Sequence, residues 1–567
     1  MTSKLIASLF ASAALAGCVT QPGAISSVSP TSDVVNLQVL ALNDFHGHLE
    51  QSEREGTWIE NGVERRGRIG GAAQLGATLD ALREGHTVTV AAGDLIGASP
   101  LISSLFLDEP TIRALSVVGL DIASVGNHEF DRGIEELRRI QNGGCEVYTL
   151  REPCAVEPFI GADFAYLAGN VVDDAGVTLF PGTEMRDYGA ARVGFIGLTL
   201  EGTPNLVADQ ATAGYTFLPE AETANRLAAQ LRDRGADAVV LLIHEGGYVD
   251  GRFVLDGCPD ISGPIVPIVE ALDPSISLVV SGHSHNAYIC NITRESGEPV
   301  LLTSAGRYGG FVTAIDMVID PASDAVLSLD ARSIAVTDTD TPHAEAGEIV
   351  RRYAEAVRPV AERAVGPIAA PLARGEDCAD RPAQDFVADA YLFAANAALD
   401  APADIAFVNS GGVRSDLSGA DDGVLTFGEL AAMAPFGNTL IVLEMTGGQI
   451  MALLEQQFCQ EDGSVLCGSA LVPSAGSAYQ VDRRRAQGER VLAPVIDEQP
   501  LDPARTYRVV TNSFLAGGGD GFSQFGDGTQ VANVGFDIDG IEAYVATGEV
   551  RVPVCGRVRT VVAPASS

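Results

Sequence analysis

Five apolar, β-branched runs between residues 37 and 280 each stop on a short polar cluster, and this pattern constrains the fold more than any other feature of the chain. Residues 37–42 (LQVLAL) lead into Asn43-Asp44-Phe45-His46-Gly47-His48, and residues 87–92 (TVTVAA) into Gly93-Asp94. Residues 122–125 (IASV) lead into Gly126-Asn127-His128-Glu129-Phe130-Asp131, residues 238–243 (AVVLLI) into His244, and residues 276–280 (ISLVV) into Ser281-Gly282-His283-Ser284-His285. Short, continuously apolar runs of this kind read as strands buried on both faces. Helical stretches such as AAQLGATLDAL and ETANRLAAQLRDRG alternate with them, which predicts a layered α/β domain.

Parallel strands place their C-terminal ends along one edge, where side chains leave the core and converge. Asp, Asn and His collected there make a mixed oxygen and nitrogen donor set, suited to divalent ions such as Mn²⁺ or Zn²⁺. Two such ions side by side activate water and clamp the oxygens of an in-line displacement. One His after a strand, or one Gly-Asp turn, is ordinarily structural. Five clusters that take up six of the chain's eight histidines call for a shared site. In an extended segment side chains recur on one side every second residue, so His283 and His285 are expected to face the same way.

At 567 residues the chain is too long for one ordinary core, and at least two domains are expected. A composition of 46% hydrophobic and 20% charged residues is that of a folded protein. The formal net charge of −39 excludes a nucleic-acid polymer as partner, since such binding needs Lys and Arg to neutralise phosphates. A small phosphorylated ligand is also repelled at long range, so its site must supply positive charge locally, from metal ions or arginines.

The N-terminus has Lys4, an apolar stretch and then Leu15-Ala16-Gly17-Cys18, the layout of a secretory signal. Its last four residues resemble a bacterial lipoprotein signal, which implies cleavage after residue 17 and lipidation of Cys18. An exported, periplasmic or outer-membrane-anchored protein is expected, held to the membrane by that lipid. The eight remaining cysteines then read as disulfides. Close spacing suggests Cys145 with Cys154 and Cys459 with Cys467, leaving Cys258, Cys290, Cys378 and Cys555, which would pair as Cys258 with Cys290 and Cys378 with Cys555.

Residues 18–35 are rich in Ser, Pro and Gly and read as a tether. Residues 36–340 form the first domain, residues 341–366 a helical connector with a Pro interruption near Pro359, and residues 367–560 a second domain of mixed strands, helices and Gly-rich turns. No internal repeat of fixed period is present.

The ordered series D-x-H, G-D, G-N-H-E-F-D, H and G-H-x-H resembles the calcineurin-like metallophosphoesterase domain of the secreted 5′-nucleotidase and UDP-sugar hydrolase family. That resemblance implies a four-layer sandwich of two mixed sheets between helices, two divalent metal ions (Mn, Zn or Co) at the strand ends, and a smaller α/β substrate-binding domain after it. It implies that Asp44, His46, Asp94 and His285 hold one metal and that Asp94, Asn127, His244 and His283 hold the other. His128 and Asp131 would form a catalytic dyad in which Asp131 orients the imidazole and His128 stabilises charge in the transition state. His48 has no implied ligand role.

Three stretches in the second half resemble the same family's nucleotide-specificity domain: Asn409-Ser410-Gly411-Gly412-Val413-Arg414, Ala434-Pro435-Phe436-Gly437-Asn438, and residues 512–522 (NSFLAGGGDGF). By position Phe436 and Phe514 would sandwich the base, Asp520 would meet the ribose hydroxyls, Arg414 the phosphate and Asn409 the base. Stacking is physically apt, because every base offers a π face to a ring. The family's further phosphate-binding arginine has two candidates here, Arg374 and Arg381, because the stretch RGEDCADRPAQDF departs from the usual pattern.

The expectation is an exported, lipid-anchored, monomeric phosphohydrolase that releases phosphate from nucleoside 5′-phosphates by in-line attack of metal-bound water. One alternative keeps the fold and acts on 2′,3′-cyclic nucleotides or UDP-sugars. Another is a non-catalytic surface binding lipoprotein that retains the site as a vestige. A rotation of the second domain about the connector is also implied by the family.

Overall fold

The computed structural model describes residues 34–52, 55–149, 151–207, 209–375, 381–419, 422–458, 470–548, 550–553 and 556–561. Cys18, Cys378, Cys459, Cys467 and Cys555 lie outside the described residues, as do the signal and most of the tether. Among the described residues no helix is long and apolar enough to cross a membrane.

All five apolar runs are strands, and they divide between two six-stranded sheets. In the first, Val35–Leu42, His86–Ala92, Ile122–Ser124 and Ala165–Leu167 run parallel in that order; Phe311–Asp320 pairs antiparallel with Val35–Leu42, and Ala325–Ala335 pairs antiparallel with Phe311–Asp320 at the edge. In the second, Ala191–Leu198, Ala238–Ile243, Ile276–Ser281 and Pro299–Ala305 are parallel, flanked by the antiparallel Thr183–Tyr188 and Ala287–Thr293.

The unbroken apolarity of these runs follows from their having two dry faces. Leu37, Val39, Ala41, Val88 and Val90 point between the sheets and meet Val193, Phe195, Val240, Leu242, Leu278 and Val280. The alternate residues Leu40, Leu42 and Ala91 face outward into a helical layer that contains Ala72–Leu82 and Glu109–Val117. The first of these helices buries Ala72, Leu75, Gly76 and Leu79, spaced as one stripe of a 3.6-residue period. On the other side Ile196, Val239, Leu241 and Val279 face Glu220–Asp233 and Ile265–Glu270. The result is helix, sheet, sheet, helix: a four-layer sandwich with mixed sheets.

The connector is a single helix, Ala344–Ala361, capped by the His343 side chain, which accepts from the Ala346 amide. Pro359 lies inside it and does not interrupt it: its missing N–H leaves the Glu355 carbonyl without its helical donor, but only two more helical residues follow. Tyr353 is fully buried, edge-on to Phe106 at 5.1 Å, so the connector packs along the first domain's helical layer.

The second domain is smaller. Its main sheet has the order Leu471–Pro473, Ile405–Asn409, Thr506–Asn512, Thr439–Thr446 and Thr529–Phe536, with the helices Pro382–Ala398 and Asp537–Val545 packed on one face. A four-stranded sheet built on Ala478–Val481 and Val491–Ile496 completes it. Among the described residues two disulfides are formed, Cys145–Cys154 and Cys258–Cys290.

Candidate functional site

The strand ends of both sheets meet at one edge, and the polar clusters lie together there. His244 Nε2 is 3.1 Å from Asp94 Oδ2, and Asn127 Oδ1 is 3.1 Å from both His244 Nε2 and His283 Nδ1. On the other side of Asp94, His46 Nε2 is 3.6 Å from its Oδ2, 3.9 Å from Asp44 Oδ1 and 3.2 Å from His285 Nε2, with His285 in turn 3.5 Å from Asp44. The ligand-capable atoms therefore fall into two groups, Asp44 with His46 and His285, and Asp94 with His244 and His283, with Asp94 also reaching His46. A third grouping places His128 with His46 and Asp94.

These side chains converge because the backbone turns sharply as each strand ends. Asp44, His46, Asp94, His283 and His285 all have φ between +46° and +65°. That left-handed conformation costs roughly 1–2 kcal/mol for a residue with a Cβ, and its clustering at one edge marks strain held by the surrounding fold. It also changes the geometry of the last histidine pair. The strand stops at Ser281, so His283 and His285 are not extended neighbours on one side. His283 turns to Asn127 and His244, whereas His285 turns to His46 and Asp44.

Glu129 brackets the edge from below. Its two carboxylate oxygens accept from the amides of Asp94 (2.9 Å), Gly126 (2.6 Å) and Leu95 (2.8 Å), tying two strand-end loops together. Gly126 must be glycine, since a Cβ there would stand 2.2 Å from Asp94 Oδ1. Tyr308, at the end of the Pro299–Ala305 strand, closes the outer side. Its ring stacks on His48 at 3.8 Å and lies edge-on to His46 and His285 at 5.9 and 5.5 Å, with the Arg307 guanidinium 4.5 Å over it. Sequence reasoning passed over Glu129 and Tyr308. The available signal was a sixth apolar strand followed by a Gly-rich turn, SAGRYGG.

The donor set fits divalent metal ions. Asp44 and Asp94 are both fully buried and close together, which is costly without a cation between them. Burial pushes the Asp44 carboxyl up, while His244 and His128 overcome burial at Asp94 and hold it well below the carboxylate range. Burial drives His46 and His283 down to about 3 and His285 well below its ordinary value, so three imidazoles present neutral lone pairs. At His244 burial is outweighed by the Asp94 charge, which lifts the imidazole to about 10.

His128 Nδ1 is 2.9 and 3.1 Å from the Asp131 carboxylate oxygens, and its amide donates to Asp94 Oδ1. Burial opposes its protonation, but Asp131 and Asp94 hold the imidazole above its ordinary value. The second domain presents Phe436 to this imidazole, with ring centroids 6.0 Å apart and planes at 17°. A capping box of Thr426 and Glu429 starts the helix Phe427–Met433, and Pro435 cannot extend it, which throws Phe436 outward. The Arg414 amide donates to the Met433 carbonyl at that helix end, and its guanidinium lies 5.1 Å over the Phe436 ring.

Phe514 sits on the short helix Ser513–Ala516, capped by Asn512, whose side chain accepts from the Leu515 amide. Gly519 allows its ring in, since a Cβ would come within 2.4 Å of it. Asp520 accepts from Asn409 Nδ2 at 2.8 Å, so Asn409 is engaged with Asp520. A cavity of about 220 Å³ joins the halves, lined by Asn127, His128 and His283 on one side and Arg414, Phe436 and Phe514 on the other. Of the two further arginines, Arg374 is held low by burial and by the neighbouring Arg414 charge, while Arg381 is buried at the start of the helix Pro382–Ala398.

Comparison with known proteins matches two stretches of the chain. Residues 37–287 match the calcineurin-like phosphoesterase model and residues 360–527 the 5′-nucleotidase C-terminal domain model. A cell wall protein of Listeria monocytogenes, Lmo0130, is 30% identical over 561 residues, covering 93% of this chain and 69% of that protein. A 5′-nucleotidase of Vibrio cholerae is 25% identical over 576 residues, covering 96% and 95%. Among solved structures, a 5′-nucleotidase precursor from Thermus thermophilus superposes with a TM-score of 0.73 at 24% identity, covering 94% of this chain and all of that one, which shows a shared fold.

Proposed function

The chain belongs to the 5′-nucleotidase family of metal-dependent phosphoester hydrolases, and on that premise we propose that it releases phosphate from nucleoside 5′-phosphates outside the cytoplasm. The observation that carries this reading is the shared cavity, where His128 and Asn127 face Arg414, Phe436 and Phe514 across about 220 Å³. Two divalent ions bound by Asp44, His46, Asp94 and His285, and by Asp94, Asn127, His244 and His283, would supply charge neutralisation and an activated water.

The chain's own groups do the rest. Arg414 grips phosphate oxygens with paired N–H donors and supplies the local positive charge that an acidic protein needs. Phe436 and Phe514 position the base. Asp131 holds His128 through Nδ1, so that Nε2 faces the phosphoryl group and donates its proton to the departing nucleoside oxygen. Asp520 would meet the ribose hydroxyls and Asn409, which donates to it, the base. Export is supported by the two disulfides, which persist in oxidising compartments, and by the signal layout ending at Cys18, whose lipid would anchor the protein to a membrane.

The test is phosphate release from AMP, ATP, UDP-glucose, 2′,3′-cyclic AMP and an aryl phosphate, with Mn²⁺, Zn²⁺ or Co²⁺ supplied. AMP is expected to be turned over, and chelation to stop the reaction. Hydrolysis of the aryl phosphate alone would overturn the nucleotide reading, and full activity of a metal-free Asp94→Ala protein would overturn the two-metal reading.

A further inference from the structure

A second cavity, of about 390 Å³, adjoins the first and shares Asp131 and Phe436 with it. The first domain lines it with Arg132, Gly133, Tyr148 and Arg151, and the second domain with Gly437 and Phe536. No step of the proposed hydrolysis uses this chamber.

Its basic groups are Arg132 and Arg151, with the carboxylates of Asp108, Asp131, Glu136 and Asp539 acting on them. Arg132 pairs with Asp108, a fully buried carboxylate that also accepts from Ser103 Oγ at 2.6 Å. Arg151 donates from Nη1 to the Ser104 carbonyl oxygen at 2.9 Å and makes no ion pair among the described residues. Asp131 is on the wall, but both of its oxygens lie on His128 Nδ1. Burial and then the Arg132 charge hold the Arg151 guanidinium below its usual range, with Asp108 and Asp539 offsetting part of this. The half-buried Arg132 thus holds the inner carboxylate, while the half-buried Arg151 has only a backbone carbonyl as partner among the described residues, and both line the chamber.

Two further features suit an anion. Gly133 opens the helix Ile134–Asn142 beside Arg132; no side chain caps its amides, although Glu135 and Glu136 stand in its first turn. The loop bearing Tyr148 and Arg151 is closed by the Cys145–Cys154 disulfide, so the Arg151 wall is covalently restrained.

We propose that this chamber is a second oxyanion site, in which Arg151 and Arg132 hold a phosphate-class anion next to, and separate from, the phosphate position at the metal edge. Free inorganic phosphate and a second phosphate group carried by a nucleotide offer the same chemistry. The second of these sources rests on the nucleotide reading above; the site itself does not.

The test is calorimetric titration of inorganic phosphate into metal-loaded, dialysed full-length protein. Two equivalents are expected to bind the parent, one to bind Arg151→Gln, and two to bind Arg151→Lys with the second weakened. One equivalent in the parent, or two undiminished in Arg151→Gln, would overturn the proposal. If the protein does not hydrolyse AMP but Arg151→Gln still loses one equivalent, the anion site stands and only the nucleotide reading falls. The source is then read from KM. A rise of about tenfold for a nucleoside 3′,5′-bisphosphate in Arg151→Gln, with the 5′-monophosphate unchanged, assigns the site to a substrate phosphate. Loss of one equivalent with both KM values unchanged assigns it to free phosphate.

Discussion

The two halves of the site are built in opposite ways. At the metal edge Asp44, His46, Asp94 and His244 are buried to 2% exposure or less, on strand ends braced by Glu129. On the substrate face Arg414, Phe436, Phe514 and Asp520 are half-buried, on turns and short helices held by caps and single backbone hydrogen bonds. A reaction centre that must hold two cations needs fixed distances, which packed strands between two cores provide. A face that selects among nucleosides needs apolar planes and a few donors, which loops provide and can vary.

The comparison is broken most severely by attacking the edge. Asp94→Asn is expected to lower kcat by about 10³-fold or more and to cut bound metal, measured by elemental analysis, because this one carboxylate adjoins both ligand groups. His128→Ala should lower kcat by about 10²–10⁴-fold with bound metal unchanged. A matching loss of metal would instead make His128 a ligand, as its closeness to His46 and Asp94 permits.

The substrate face should respond more mildly and more selectively. Phe436→Ala or Phe514→Ala is expected to reduce kcat/KM for AMP by the equivalent of about 1–3 kcal/mol of lost stacking, and to spare an aryl phosphate. Equal losses on both substrates would show that the rings only pack.

The smallest effect concerns the support of that face. Asp537 is buried, its amide donates to the Asn438 carbonyl beside Phe436, and burial pushes its carboxyl from 3.8 up to about 7. A carboxyl raised on folding binds its proton more tightly in the native state, so stability falls as pH rises from about 4 to about 7. Asp537→Asn should raise the thermal midpoint by a few degrees at pH 8 and leave it nearly unchanged at pH 4. An equal shift at both values would rule out titration as the cause.

Much of the edge was legible because its signals are local. An apolar run names a buried strand, and a ligand-type residue at its end names the edge. Tyr308 was less legible, since one aromatic residue after a strand looks like core until its contacts with His46, His48 and His285 are seen. Glu129 hid inside a motif whose neighbours drew attention as ligands, although its partners are amides 3 to 35 residues away. Pro359 misled because only two helical residues follow it, so the helix loses one backbone hydrogen bond near its end and stops soon after.

The chain's order of residues settled which side chains reach the edge, that strands would carry them there and that two domains would form. The motif resemblance already implied that His283 and His285 belong to different ligand groups; only the tertiary structure decided how the backbone separates them. They are one residue apart, and two left-handed turns, not an extended segment, send them to different partners, a conformation that no spacing rule contains. Backbone conformation at a strained turn is set by distant contacts, and those exist only once both sheets have closed on each other.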